Sequence, residues 1–312
     1  MQRETVNSKA ASIRSAVADF MVKRGIPDEM EQNLIKEAIH LHLLSALSDA
    51  GVLRHVVFQG GTALRLCYGG ERYSEDLDFV CGKAGSYFDN IEFERLIQSA
   101  LEATKKSLHR DFGIDPEQMV LKQPSHPMAI KGDSVSVAAW QIVVPIDSTP
   151  RSPKSRVRIE FANVPSYESG PNVAAVTQGL VQIQDVILTV ENANEILADK
   201  AVALTAREVL KYRDVWDVWY LMNRLKAQAS PDVVRWKFAD YGTSDFETKA
   251  KQRLEELAKA STAKLFLEEM RRFLPAKRVA EIDDAGLHQT ILAASGELIR
   301  GVVIAKSPNS PA

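Results

Sequence analysis

Cysteine is nearly absent: Cys67 and Cys81 are the only two in 312 residues, and no Cys or His pair stands at zinc spacing. That excludes a disulfide framework or a structural zinc site and leaves two reduced, half-buried thiols as the expectation. A long apolar run is missing too. The N-terminal Met1-Gln2-Arg3-Glu4-Thr5 has no signal core, and no stretch approaches the roughly 18 apolar residues that span a bilayer, so a cytoplasmic location without a membrane partner is expected. There is no excess of positive charge: 39 Lys and Arg face 41 Asp and Glu, for a net charge of -2, so any nucleic-acid contact must come from a local patch rather than a global field. The six His residues are scattered and offer no Ser-His-Asp or Cys-His arrangement. Internal repeats and low-complexity blocks are lacking. What remains is an ordinary globular composition, 45% hydrophobic, in a chain long enough for about two domains.

Apolar periodicity predicts helices over 8–24 and 28–50, a short strand at Val56-Val57-Phe58, a glycine turn, and a brief helix from Thr62 to Tyr68 with Thr62 as its N-cap. A strand over 77–80, a helix over 91–108 and strands over 134–146 and 156–161 follow. Beyond Asn192 the pattern is almost wholly helical: 193–226, 231–240, 245–273 and 285–305, with Pro231 and Pro275 as breaks. The fold class expected is therefore α+β. Residues 1–185 form a sheet domain with N-terminal helices, 186–306 a helical domain and 307–312 a disordered tail.

Gly60-Gly61-Thr62 lies where a strand hands over to a helix, and a helix N-terminus offers unpaired N–H groups to an anion. Sixteen residues after Gly60 comes Asp76-Leu77-Asp78, whose i, i+2 spacing puts both carboxylates on one face of a strand. Two like charges so close repel unless a cation or proton intervenes. Together the two features point to nucleotide chemistry with a divalent metal. Glu160, on the polar face of the strand Arg156–Phe161, either completes the oxygen shell or pairs with Arg158. On one continuous helix, Lys200, Arg207, Lys211 and Asp214 would share a stripe, placing cations to clamp β and γ phosphates beside an acid that can accept a proton. A break near Tyr212 would instead make Asp214 a cap, and the alternative for the whole stripe is a solvated helix face with its Lys and Arg paired to Glu208 and Asp217. Arg151, Lys154, Arg156 and Arg158 form a basic hairpin tip able to touch a phosphate backbone or to serve as a soluble edge. Trp216, Trp219 and Tyr220 adjoin Val215, Val218 and Leu221 and read as core rather than as a stacking platform.

These residues resemble a known family, the abortive-infection nucleotidyltransferase-like toxins called AbiEii or MenT. The similarity is carried by Gly60–Arg65, Arg72–Phe79, Glu195–Leu204 with Arg207, and Arg213–Asp217, blocks that keep the family's order and cover most of residues 55 to 220. The resemblance implies a polymerase-β-like nucleotidyltransferase mixed-sheet core with a helical C-terminal domain. It implies that Asp76 and Asp78 hold magnesium, that Gly60, Gly61 and Ser74 contact the triphosphate, that Lys200 grips phosphate and that Asp214 is the downstream acid. Members transfer nucleotides from an NTP, in several cases to the tRNA 3′ end, block translation, and are restrained by a cognate antitoxin. One departure is Gly61, where the wider superfamily commonly has Ser. That shifts hydroxyl contacts to Thr62 or Ser74. The function expected is a magnesium-dependent nucleotidyltransferase toxin acting on RNA. The alternatives are the same chemistry on a protein or small molecule, or a catalytically idle binding partner.

Overall fold

The computed structural model describes residues 12–82, 90–125, 135–147, 149, 152–175, 177, 179–243 and 245–304. Arg151 and the expected tail 307–312 lie outside them. Two N-terminal helices come first, α1 (Ile13–Arg24), capped by the Ser12 side chain, and α2 (Glu31–Asp49). Strand β1 (Val56–Gln59) then enters α3 (Gly60–Cys67), followed by β2 (Asp76–Cys81) and α4 (Asn90–Phe112). β3 (Val120–Lys122), β4 (Val137–Pro145), β5 (Lys154–Ala162), β6 (Ser169–Ala174) and β7 (Val186–Glu191) complete the strands among the described residues.

All seven make one mixed sheet in the order β3-β4-β5-β2-β1-β7-β6. β2 is antiparallel to β1 and parallel to β5, and β1 is parallel to β7. β5 shows how one sequence dictates two environments: Ser155, Val157, Ile159 and Phe161 are buried, whereas Lys154, Arg156 and Arg158 between them are exposed. The buried side rests on α2, with α4 against α2 and touching β5 through Phe93 and Phe161, and this layer holds the larger core, including Leu34, Leu41, Phe79, Trp140 and Phe161.

The helical half comprises α5 (Ala193–Ala206), α6 (Tyr212–Asn223), α7 (Pro231–Asp240), α8 (Phe246–Leu257), α9 (Ala260–Met270), α10 (Ala276–Asp284) and α11 (Leu287–Leu298). A second core around Trp216, Val218, Phe238 and Phe266 holds it together, with Trp219 and Tyr220 buried as expected.

Several expectations need correction, among them the span 245–273, which is two helices, α8 and α9, parted at Ala258 and Lys259. The β6–β7 hairpin, unread in the sequence, belongs to the sheet, so sheet residues continue past 185. The span 193–226 is two helices, because the chain leaves α5 at Arg207 and Arg253 donates to the freed carbonyls of Leu204 and Arg207. α3 starts at Gly60 with Gln59 as N-cap, so Thr62 is not the cap. Its buried hydroxyl donates instead to the Asp76 carbonyl.

Candidate active site

Between the centre of the sheet and α5–α6 lies a cavity of about 450 Å³. Gly60, Gly61, Ser74, Asp76, Asp78, Glu160, Lys200, Arg207 and Asp214 all line it, from elements as far apart as β1 and α6. Thr62, expected to meet the nucleotide, does not. Arg72, Arg213, Asp199 and Tyr241 line it as well.

The antiparallel register puts Gln59 opposite Asp78, so the first residue of the turn, Gly60, lies against the Asp78 carboxylate. Gly60 has φ of +79°, and a Cβ there would stand 2.7 Å from Asp78 Oδ2. A Cβ on Gly61 would collide with the Arg72 guanidinium and sit 2.9 Å from Ser74 Oγ. The side chain missing at 61 is thus replaced in space by Arg72 and by the Ser74 hydroxyl, which explains why glycine stands there.

Asp76 and Asp78 project from one face of β2, half-buried and open to the cavity, and their carboxylates have no hydrogen bond or ion pair among the described residues. Burial, then Glu160 and Asp76, push the Asp78 carboxyl up to about 7. Burial also raises Asp76, against Arg213. Glu160 stands directly across from Asp78 in the parallel β2–β5 register, but its carboxylate pairs with Arg158 at 2.9 Å. No group of three or more His, Cys, Asp or Glu among the described residues is placed to hold a metal ion. Two carboxylates with no partner among the described residues nevertheless fit magnesium, which is commonly held by one or two carboxylates and completed by water and substrate phosphates.

Lys200 and Asp214 meet although α5 and α6 are separate helices. Lys200 Nζ lies 2.7 Å from Asp214 Oδ1 and 2.7 Å from Asp217 Oδ2. Asp217 receives both Arg72 Nε and Nη2 at 2.6 Å, and Arg207 pairs with the other Asp214 oxygen. The result is an alternating chain, Arg72, Asp217, Lys200, Asp214, Arg207, buried as far as Asp214 and ending on the exposed Arg207. Burial favours a neutral Asp214, but Lys200 and Arg207 overcome it and hold the carboxyl at about 2. The one-helix stripe fails for Lys211, which is the exposed N-cap of α6.

Glu75 sits among Lys36 at 2.7 Å and Arg213 and Arg272 at 3.4 Å. Those cations hold it below the ordinary carboxylate range despite burial. Arg72 and Arg213 fall inside the sequence blocks that carry the resemblance, whereas Tyr241 has no signal in the sequence. It packs against both the helical core and the small cluster Val57, Val80, Ala162 and Val164 on the sheet, closing the cavity between them.

No curated protein matches the sequence significantly. The chain is similar in structure to a Helicobacter pylori protein described provisionally as a nucleotidyltransferase, at 18% identity and a TM-score of 0.46, over 87% of this chain and 95% of that one. It is likewise similar to JHP933 from Helicobacter pylori, at 17% identity and a TM-score of 0.47, over 86% and 94% of the two chains. The family model for the AbiEii nucleotidyl transferase toxin of the type IV toxin–antitoxin system matches residues 42–285, taking in every cavity residue named above, and the chain belongs to that family.

Proposed function

We propose that this nucleotidyltransferase uses magnesium to move a nucleotide from an NTP to the 3′ hydroxyl of an RNA, the tRNA acceptor end in particular, and so blocks translation in the cytoplasm until its antitoxin restrains it. The observation that carries the reading is the unpaired Asp76–Asp78 pair beside the Gly60-Gly61 turn, facing Lys200, Arg207 and Arg213 across one cavity. The cavity volume falls within the range of about 300–1,000 Å³ usual for small-molecule sites.

Asp76 and Asp78 would hold the cation, which when bound neutralises triphosphate charge and polarises the phosphate under attack. Backbone N–H groups at the start of α3 and the Ser74 hydroxyl receive phosphate oxygens. The triphosphate competes with Asp214 for Lys200 and Arg207. As those cations turn to phosphate, Asp214 loses the partners that hold it near 2, and its proton affinity rises toward that of a working base. The acceptor oxygen then bonds to the α-phosphorus and its proton passes to Asp214. The bond from the α-phosphorus to the bridging oxygen breaks, and pyrophosphate leaves toward Arg207 and Arg213.

The test is incubation of the chain with magnesium, total RNA and each α-labelled NTP in turn, followed by sizing of the labelled product. The reading expects label in RNA of tRNA size with one NTP preferred. Label in protein or in a small molecule would move the acceptor to another class.

A further inference from the structure

Of the 21 positions in β3, β4 and β5 (3, 9 and 9 residues), the only acid is Glu160, against the cations Lys122, Lys154, Arg156 and Arg158. The register puts all of these on one face. Lys122 is opposite Gln141, and Gln141 is opposite Arg158. Arg158 in turn is opposite Asp76 and Glu160 opposite Asp78, while Arg156 and Lys154 continue the same alternation beyond the end of β2.

This face is open. Lys122, Lys154, Arg156 and Arg158 are exposed, as are Val120 at 44% and Val137 at 49%, whereas the reverse face is buried on α2. Lys122, Lys154 and Arg156 have no ion pair among the described residues, while Arg158 pairs with Glu160. A chain of net charge -2 thus gathers cations without an ion pair among the described residues on a sheet face that ends at its two candidate active-site carboxylates.

We infer that this face of β3–β4–β5 is the platform on which a single-stranded RNA end lies, its phosphates meeting Lys154, Arg156 and Lys122 and its 3′ hydroxyl delivered past Arg158 to Asp76. The inference rests on the RNA-acceptor reading above and deepens it by giving the acceptor a path. Cations on alternate residues of a strand repeat every ~6.6 Å, a spacing that suits successive phosphates of an extended strand. Val137, at the inner end of β4, lines the cavity itself, so the platform and the chemistry are continuous. The structure also revises the basic hairpin read from sequence: the cations belong to the sheet face, and Lys122 of another strand joins them.

The test compares the intact chain with the triple variant Lys122→Gln/Lys154→Gln/Arg156→Gln, all exposed positions away from the cavity lining. A fluorescent single-stranded oligoribonucleotide is titrated across a salt series, and NTP binding is measured in parallel. The variant should bind RNA about tenfold or more weakly, with a log–log salt slope shallower by about two, because each phosphate no longer neutralised removes about 0.7 from it. Its NTP affinity and circular dichroism should match the parent. Equal RNA affinity and slope in both proteins would overturn the platform. So would unchanged RNA binding joined to escape from the antitoxin, which would give the face to a protein. Failure of the wider reading looks different, with RNA bound but no nucleotide transferred to it by the parent chain.

Discussion

At the residue scale, Asp78 has the plainest electrostatic consequence. Burial, Glu160 and Asp76 raise its carboxyl from 3.8 to about 7. Between those values the folded chain binds a proton that the unfolded chain has released, so this group's contribution to stability is present below the lower value and is lost as pH rises through the upper one. Without metal, Asp78→Asn should therefore raise the melting temperature at about pH 8 by about 1–2 °C, the shift that roughly 1 kcal/mol gives at about 2.1 cal/mol/K per residue in a chain of this length, and flatten the pH dependence. Thermal melts with a chelator check this; a variant less stable than the parent would mean that the carboxylate has a partner. Magnesium should stabilise the parent increasingly as pH passes about 7, and the variant hardly at all. Lys200→Ala should lower turnover by about 10²–10³, the usual cost of one charge-stabilising donor. Asp214→Asn should lower turnover more than NTP affinity, and steady-state kinetics separate the two.

At the scale of elements, the Arg72–Asp217 clamp ties the segment before β2 to α6 and fixes Lys200 from below. Both partners are buried, so Asp217→Ala strands a guanidinium and should cost about 3–5 kcal/mol, while Arg72→Met/Asp217→Leu should recover most of that without recovering activity. Denaturant melts and transfer assays on the two proteins check both halves. Gly61→Ser should act through the same clamp, because its side chain must push Arg72 off Asp217 or displace Ser74. Much of this was legible in sequence where the signal is local. The glycine turn and the i, i+2 acids are set by neighbours a few residues apart, and the structure brings them together as that spacing implies. Contacts between elements were read less well. One helix would make Lys200 and Asp214 neighbours, yet they meet across the break that Arg253 caps, and Asp217, which the sequence offers as an ion-pair partner on a solvated helix face, pairs with Lys200 in a buried site instead. β6 went unread because Ser169-Gly170-Pro171-Asn172 has the composition of a turn, and only pairing with β7 makes it a strand.

At the scale of the molecule, the chain has two large hydrophobic cores, one on the side of the sheet away from the cavity and one among the helices, and Tyr241 joins the helical core to the small cluster Val57, Val80, Ala162 and Val164 on the cavity side of the sheet. No described helix is long and apolar enough to cross a membrane. A ligand held by Asp76 and Asp78 on one wall and Lys200 and Arg207 on the other links the two cores. NTP with magnesium at 100 times its Kd should therefore stabilise the whole chain by about 2.7 kcal/mol in a single melting transition, and either component alone by less. Tyr241 escapes a reading of the sequence because a lone aromatic after a helix has no signature until the other half of the chain packs on it.

The central claim is that Asp76 and Asp78 serve transfer of the α-phosphate with its nucleoside. The most direct measurement incubates the parent chain and Asp78→Asn with RNA, magnesium and the preferred NTP, labelled in one set at the α-phosphate and in another at the γ-phosphate. The account predicts α-label in RNA with the parent chain only, and γ-label released in pyrophosphate. Transfer of γ-label to RNA, or undiminished α-label transfer by folded Asp78→Asn, would contradict it.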